Sequence, residues 1–304
     1  RAIVLEFGMS GPGHLAQSCR IIKPNLAVIT MVGTAHIGNF GGSLPNLIRA
    51  KSGLIKHMQP KGTLFLNADD KNSRLLLRKN FSGKIVKIGV YNQADYKADH
   101  ISYAEHGMTF QVELEGQAHH FFIPIYGDHN VYNALFAIAV SHNLGFSPHE
   151  IKAGLKKYQR PPHRLRVFQL KRNIKLIDDT FNANPHSVKA ALDVLTTVSR
   201  ENNVAVLGSM GELGRYSRQG HTIVGKYAAG KSNLNRIYTY GEGAQQIARA
   251  AVKAGFPKNK TVHSVKRKTL HQHLKKELQP GCTVLVKGSN MMGMYKTVKF
   301  LQQT

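Results

Sequence analysis

Ile174-Lys-Leu-Ile-Asp-Asp-Thr-Phe-Asn-Ala-Asn-Pro-His-Ser187 is the stretch whose reading decides the fold. Its first five residues, Ile174–Asp178, make a short run of strand type, and the segment Ser187–Ser199 that follows has helical spacing. Asp178 ends the strand, and Asp179, Asn182 and Asn184 lie between it and the helix. In an open α/β sheet the carboxyl ends of the strands are the edge at which ligands bind. Downstream, the same alternation repeats. Strands are predicted at Val204–Leu207, Arg236–Tyr240, Thr261–Ser264 and Thr283–Val286, with helices at Gly220–Ala229, Gly243–Ala254 and Lys266–Glu277. Strand and helix in turn, at this spacing, predict a Rossmann-like parallel sheet of ordinary domain size.

Upstream, Arg160-Pro-Pro-His-Arg164 breaks the pattern. Two consecutive prolines stop a helix and stiffen a linker, so the chain is expected to divide into domains at 1–160 and 161–304. The first part is also α/β. Ala2–Phe7 reads as a strand already under way, which leads us to expect that the chain begins within a domain. Helix Leu15–Ile22 separates it from strand Leu26–Met31. Leu44–Met58 has helical spacing that puts Leu47, Ile48, Leu54, Ile55 and Met58 on one face. Gly62–Leu66 is another buried strand and ends in Asn67-Ala-Asp-Asp70. Between Met108 and Ile125 the pattern turns to a hairpin, an antiparallel annex. Helices Val131–His142 and His149–Tyr158 close this part.

Composition limits the function classes. Lys and Arg number 42 against 17 acidic residues, a net charge of +25, which predicts affinity for polyanions such as nucleic acid, anionic lipid or a phosphorylated substrate. The basic residues are spread along the chain, however, and no nucleic-acid-binding motif accompanies them. A solvated basic surface is the plainer account, and nucleic acid is not an expected partner. No apolar run reaches the ~20 residues of a membrane span. The two cysteines, Cys19 and Cys282, are far apart and form no CxxC. That suits a reducing cytoplasm without structural zinc.

One segment matches the phosphate-loop pattern, Gly225-Lys-Tyr-Ala-Ala-Gly-Lys-Ser232. The motif works only where a strand enters the loop and a helix leaves it, so that helical N–H groups face the phosphates. Here the predicted order is reversed, helix before and strand after. We read Gly230 as a helix C-cap and Lys231 as a cation placed favourably at a helix end.

Other segments carry chemistry. Glu6 and His36 each fall at or just past the end of a predicted parallel strand, and a carboxylate with an imidazole can hold a divalent ion that bridges nucleotide phosphates. Singly, each has a plainer reading: Glu6 as a capping acid, His36 as a structural histidine, Lys51 as a solvated charge. Taken in order, Glu6-Phe-Gly-Met-Ser-Gly-Pro-Gly13, Ala35-His36, Ala50-Lys51, Asn67-Ala-Asp-Asp70, Gly127-Asp-His-Asn-Val-Tyr-Asn-Ala134, Pro162-His-Arg-Leu165, Ile177–Pro185, Val206–Gly214 and Val286-Lys-Gly-Ser289 resemble the Mur ligases nearly end to end. The Asp-Asp-x-x-Asn-Ala-Asn-Pro segment favours the members that add D-alanyl-D-alanine to UDP-N-acetylmuramoyl-tripeptide.

The resemblance implies an ATP-binding central domain, N-terminally truncated, followed by a Rossmann-like C-terminal domain. It implies an ATP-dependent ligase, cytoplasmic and monomeric, that works with Mg2+ through an acyl phosphate in peptidoglycan precursor synthesis. Its phosphate loop would lie upstream of Arg1, so the chain alone would be inactive. Glu6, His36 and Lys51 would be magnesium ligands, Lys51 as a carbamate, which requires an uncharged amine. His129, Asn130 and Asn133 would hold the adenine, Asp179 the ribose, and the linker arginine Arg164 the phosphates. Asn182, Asn184 and Ser187 would meet the dipeptide. Gly38, Phe181, Ser209, Asn290 and Tyr295 depart from the family pattern. A divergent ligase with another amine substrate, or a non-catalytic fragment that binds polyanions through its basic surface, therefore stays open.

Overall fold

The computed structural model describes residues 2–199 and 201–304, and they form two compact units, Arg1–Tyr158 and Gln159–Thr304. Each unit has its own sheet and its own core.

In the first unit, α1 (His14–Ile21) leads into β1 (Leu26–Ile29), α2 (Leu44–His57), β2 (Thr63–Asn67) and β3 (Lys84–Gly89). A meander of β4 (Tyr96–Ala104), β5 (Gly107–Leu114) and β6 (Gln117–Ile123) follows, then α3 (Asp128–Asn143) and α4 (Pro148–Lys156). The sheet runs β1-β2-β3-β4-β5-β6, parallel as far as β4 and antiparallel beyond it. The five apolar residues on the predicted face of α2 are all buried, Leu47 completely. Each such side chain contributes about 1.5–3 kcal/mol by leaving water. Ser43 caps the helix through Asn46 N–H, and Pro45 sits in its first turn, where a missing N–H costs nothing. The core gathers Leu15, Cys19, Ile48, Ile55 and Leu64 beneath α1 and α2.

One expected strand is corrected. Residues 2–9 have no regular structure, and Ile3 and Val4 are 87% and 89% exposed. A strand is stable only when a neighbour completes its ladder and a layer covers its side chains. Among the described residues, nothing pairs with this run, and β1 pairs only with β2.

In the second unit, β7 (Arg166–Gln169), β8 (Lys175–Asp179), β9 (Asn203–Gly208), β10 (Leu234–Tyr240), β11 (Thr261–Ser264) and β12 (Thr283–Lys287) form a sheet in the order β11-β10-β9-β12-β8-β7, with only the edge strand β7 antiparallel. Helices α5 (Pro185–Val198), α6 (Ser217–Ala229), α7 (Gln245–Lys253), α8 (Arg267–Glu277) and α9 (Tyr295–Gln303) alternate with the strands or close the chain. β8, β9 and β12 are almost wholly buried, as central parallel strands covered on both faces are. Because β12 lies between β9 and β8, three carboxyl ends come together at one edge.

The phosphate-loop match is a feature of helix packing. Gly225 lies inside α6, Gly230 is its C-cap residue, and β10 follows. A Cβ on Gly225 would stand 2.3 Å from the carbonyl oxygen of Ile247 on α7. The glycine is there because two helix backbones approach closely. Lys231 pairs with Asp193 and lies over the Tyr227 ring. Gly225→Ala is expected to lower stability by about 1–3 kcal/mol, since the obstacle is backbone and cannot rotate away. Chemical unfolding checks this: an unchanged midpoint would show that α6 and α7 can separate at little cost.

Candidate active site

In the first unit, the carboxyl ends of β1 and β2 are bound together by the segment Asn67-Ala-Asp-Asp70. Asn67 Nδ2 donates to Thr30 O (3.3 Å). Asp70 Oδ2 accepts from Val32 N–H (2.7 Å) and from Ser73 Oγ (2.6 Å), and Asn72 Nδ2 donates to Val32 O (2.8 Å). The loop leading to His36 is thus fixed at its base. His36 itself has φ 59° and starts a short 3-10 turn, Ile37–Phe40. Lys51 is on α2, partly buried. Burial lowers its pKa, against the opposing pull of the Asp70 carboxylate. An amine destabilised as a cation suits the carbamate chemistry that the resemblance implies for it.

Glu6 lies in the segment that precedes α1. It is exposed, within the segment that lacks regular structure, and makes no hydrogen bond or ion pair among the described residues. Nor is there, among those residues, a group of three or more His, Cys, Asp or Glu side chains placed to hold a metal ion. The roles of Glu6, His36 and Lys51 towards a divalent ion rest on the resemblance.

Asp69, which the sequence reading did not single out individually, is the best-satisfied carboxylate of the unit. It accepts from the N–H groups of Val90 (2.7 Å), Tyr91 (3.1 Å) and Asn92 (2.7 Å), and from the hydroxyl of Tyr132 on α3 (2.6 Å). Burial alone would raise its pKa. The Tyr132 hydroxyl and the three N–H groups outweigh that and hold it at about 2. Asp69 ties the end of β2 to the helix that carries His129, Asn130 and Asn133. Those three sit in the first turns of α3, where Asn130 Nδ2 donates to Tyr126 O (2.7 Å) and Asn133 Nδ2 to Asn130 Oδ1 (3.1 Å). His129 and Asn133 are exposed.

In the second unit the carboxyl ends of β8, β9 and β12 hold a denser set. Lys287 and Asp179 are both buried and form an ion pair of 2.5 Å, and Lys287 Nζ also donates to Asn182 O (2.9 Å). The other oxygen of Asp179 accepts from Leu165 N–H (3.3 Å). Asp178, also buried, accepts from His163 Nδ1 (2.7 Å) and from Thr180 N–H (3.1 Å) and Oγ1 (2.6 Å). Arg164 lies over the Phe181 ring, 4.2 Å from its centroid, and has no ion pair among the described residues. Phe181, where the family pattern has a tyrosine, thus keeps an aromatic face for the guanidinium.

Asn184 and Ser187 bond to each other. They form a reciprocal capping box at the start of α5: Asn184 Oδ1 accepts from Ser187 N–H (3.0 Å), and Ser187 Oγ accepts from Asn184 N–H (3.0 Å). The spacing Asn-Pro-x-Ser, with proline at the first helical position, is the signal for this. Asn182 accepts from Ala183 N–H through its side chain. Ser209, where an aspartate is typical, accepts from Ala244 N–H (3.0 Å) just before α7. Ser289 Oγ accepts from Gly211 N–H (2.6 Å). His221, buried on α6, accepts from Met210 N–H at Nε2 (2.9 Å) while its Nδ1 faces Ser217 O (2.7 Å). Burial lowers its pKa, and the neutral ring that results is the form this pair of bonds requires.

Asp69 gives a pH test. Its folded pKa, about 2, lies below the ordinary 3.8, so its contribution to stability is full above pH 4 and is lost as the pH falls towards 2. Asp69→Asn is expected to be less stable at pH 7 and to lose less on acidification. Urea midpoints of both proteins between pH 7 and 2 check this; parallel curves would remove the assignment.

Comparison with known proteins bears on both units. A Mur ligase middle domain matches residues 1–141, and a Mur ligase glutamate ligase domain matches residues 163–290. The chain is 32% identical over 299 residues to UDP-N-acetylmuramoyl-tripeptide–D-alanyl-D-alanine ligase of Bacillus subtilis, covering 98% of this chain and 64% of that protein. It is 32% identical over 302 residues to the ligase of the same name from Escherichia coli, covering 99% and 65%. A crystal structure of MurF from Acinetobacter baumannii superposes with a TM-score of 0.85 at 29% identity, over 98% of this chain and 64% of that one. MurF from Thermotoga maritima, solved in complex with ADP, shares the fold with a TM-score of 0.82 at 22% identity. With its two units matched in order by the family's domain models, the chain belongs to the Mur ligase family.

Proposed function

We propose that the chain is the larger part of an ATP-dependent ligase that adds D-alanyl-D-alanine to UDP-N-acetylmuramoyl-tripeptide. The observation that carries this reading is that the likeness to ligases of that name runs through both units, over 98% and 99% of the chain. The chain spans 64% and 65% of those relatives, so the activity is assigned to the longer protein.

The chemistry balances in two steps. A carboxylate oxygen of the tripeptide attacks the γ-phosphorus of ATP, giving an acyl phosphate and ADP. The dipeptide amine then attacks the acyl carbon, an amide forms, phosphate leaves, and the amine's proton passes to phosphate or solvent. Both steps gather negative charge on phosphate oxygens, which preorganised cations stabilise. Arg164 suits that task, as a guanidinium without an ion pair among the described residues. Exposed His129 and Asn133 on α3 suit a nucleotide base, with Asn130 holding the helix start. A ribose contact by Asp179 would have to share that carboxylate with Lys287 and Leu165 N–H. Asn182, Asn184 and Ser187 would act on the dipeptide by shaping the start of α5. Magnesium is implied by the resemblance alone, with Glu6, His36 and the carbamate of Lys51 as the residues that would hold it.

Phosphate release from ATP by the full-length protein tests this. Release is expected only when UDP-N-acetylmuramoyl-tripeptide and D-alanyl-D-alanine are both present; no release with the pair sinks the substrate assignment. Lys51→Ala is expected to abolish turnover, with no rescue by added bicarbonate.

One observation favours a second reading, binding of polyanions. Arg267, Lys268, Lys275 and Lys276 gather along α8, in a chain whose net charge is +25. If the basic surface is merely solvated, anisotropy of labelled single-stranded DNA should show binding at low salt that vanishes near 0.15 M, about the physiological ionic strength. Binding that persists there would favour this second reading.

A further inference from the structure

The segment that carries Arg164 is bent to an unusual degree. His163 has φ 60° and Leu165 φ 47°, so Arg164 stands between two residues in the left-handed region. Neither flanking residue is glycine, and a side chain makes this conformation strained. The bend persists because bonds on both sides over-determine it. The His163 ring donates from Nδ1 to Asp178, and the His163 carbonyl accepts from Phe181 N–H (3.1 Å). Leu165 N–H donates to Asp179 (3.3 Å), and Leu165 O accepts from Arg160 (2.7 Å). Every one of these bonds falls on the neighbours of Arg164. Among the described residues, its own guanidinium lies against the Phe181 face.

We propose that His163 is a positioning residue: its bond to the buried Asp178 fixes the strained turn that presents Arg164 to an anionic ligand, the phosphates of a nucleotide. This rests on the reading of Arg164 as a phosphate-binding cation. The charged groups at the turn divide the work. Asp178 and Asp179 lie at the end of β8 and hold backbone and imidazole, leaving no carboxylate on Arg164. A guanidinium held by its neighbours binds without first being ordered, whereas a floppy one must lose that freedom on binding. Asp178 is itself fixed by two bonds from Thr180, so the anchor beneath His163 cannot turn away without breaking them. The imidazole, 42% exposed, also meets Tyr295 at 6.0 Å between ring centroids. That contact could support the ring but cannot set its direction, which the hydrogen bond does.

The test uses direct binding to the full-length protein, with ATP and adenosine titrated in parallel by calorimetry. Arg164→Ala should lower ATP affinity about tenfold or more and leave adenosine unchanged. His163→Phe keeps a ring but no donor. It should weaken ATP binding several-fold, again without moving adenosine. His163→Asn can donate to Asp178 and tolerates the left-handed region, so it should restore ATP affinity to within about twofold of the parent. A role in stability alone would lower the melting temperature of His163→Phe and leave the ratio of ATP to adenosine affinity where it was. That result overturns the inference while leaving the functional reading standing. If Arg164→Ala binds ATP as tightly as the parent, the functional reading of Arg164 fails, and the inference falls with it.

Discussion

Beneath the carboxyl edge of the second sheet, Lys287 and Asp179 face each other with hardly any water in reach. Two charges so placed have given up their hydration, and their attraction repays it only because the remaining valences are filled. Asn182 O takes one ammonium proton and Leu165 N–H serves the second carboxylate oxygen. The pair thereby joins strands β8 and β12, the loop before α5 and the turn that bears Arg164. Removing either partner would strand the other charge, at a cost of about 3–5 kcal/mol. Asp178 extends the same arrangement by one residue to His163. Adjacent aspartates at one strand end thus do adjacent jobs, one towards the sheet interior and one towards the surface turn.

Most of the sheet strands and most helices are legible in the sequence because their apolar periodicity survives in the folded chain. The buried face of α2, the four predicted helices of the second unit and the carboxyl edges of β8, β9 and β12 all lie where that spacing puts them. Strands β3, β4 and β7 were not anticipated. β7 is a short antiparallel edge strand with no fully buried residue, and β4 has few, so neither has a strong period to read. Ala2–Phe7 erred in the opposite sense: its residues suit a strand, but strand formation depends on a ladder partner that local sequence does not supply.

The site was legible as a list and less so as an arrangement. Several motif segments fall on loops at strand ends, yet pairing between residues 108 positions apart, as in Lys287 with Asp179, leaves no local trace. The capping box of Asn184 and Ser187 is not read from the sequence, because these residues look the same there whether they face a ligand or their own helix. The reversed order of helix and strand around Gly225, by contrast, was enough to set aside a formal phosphate-loop match, since that loop depends on which element comes first.

The two cysteines gain a use from where they lie. Cys19 belongs to the core of the first unit and Cys282 to that of the second, each 1% exposed, and burial raises the pKa of both thiols. A thiol so enclosed cannot meet an alkylating reagent until its own surroundings open. Every unit therefore carries one native chemical clock of its own, and the pace at which each sulfur is captured reports how often that half of the chain breathes.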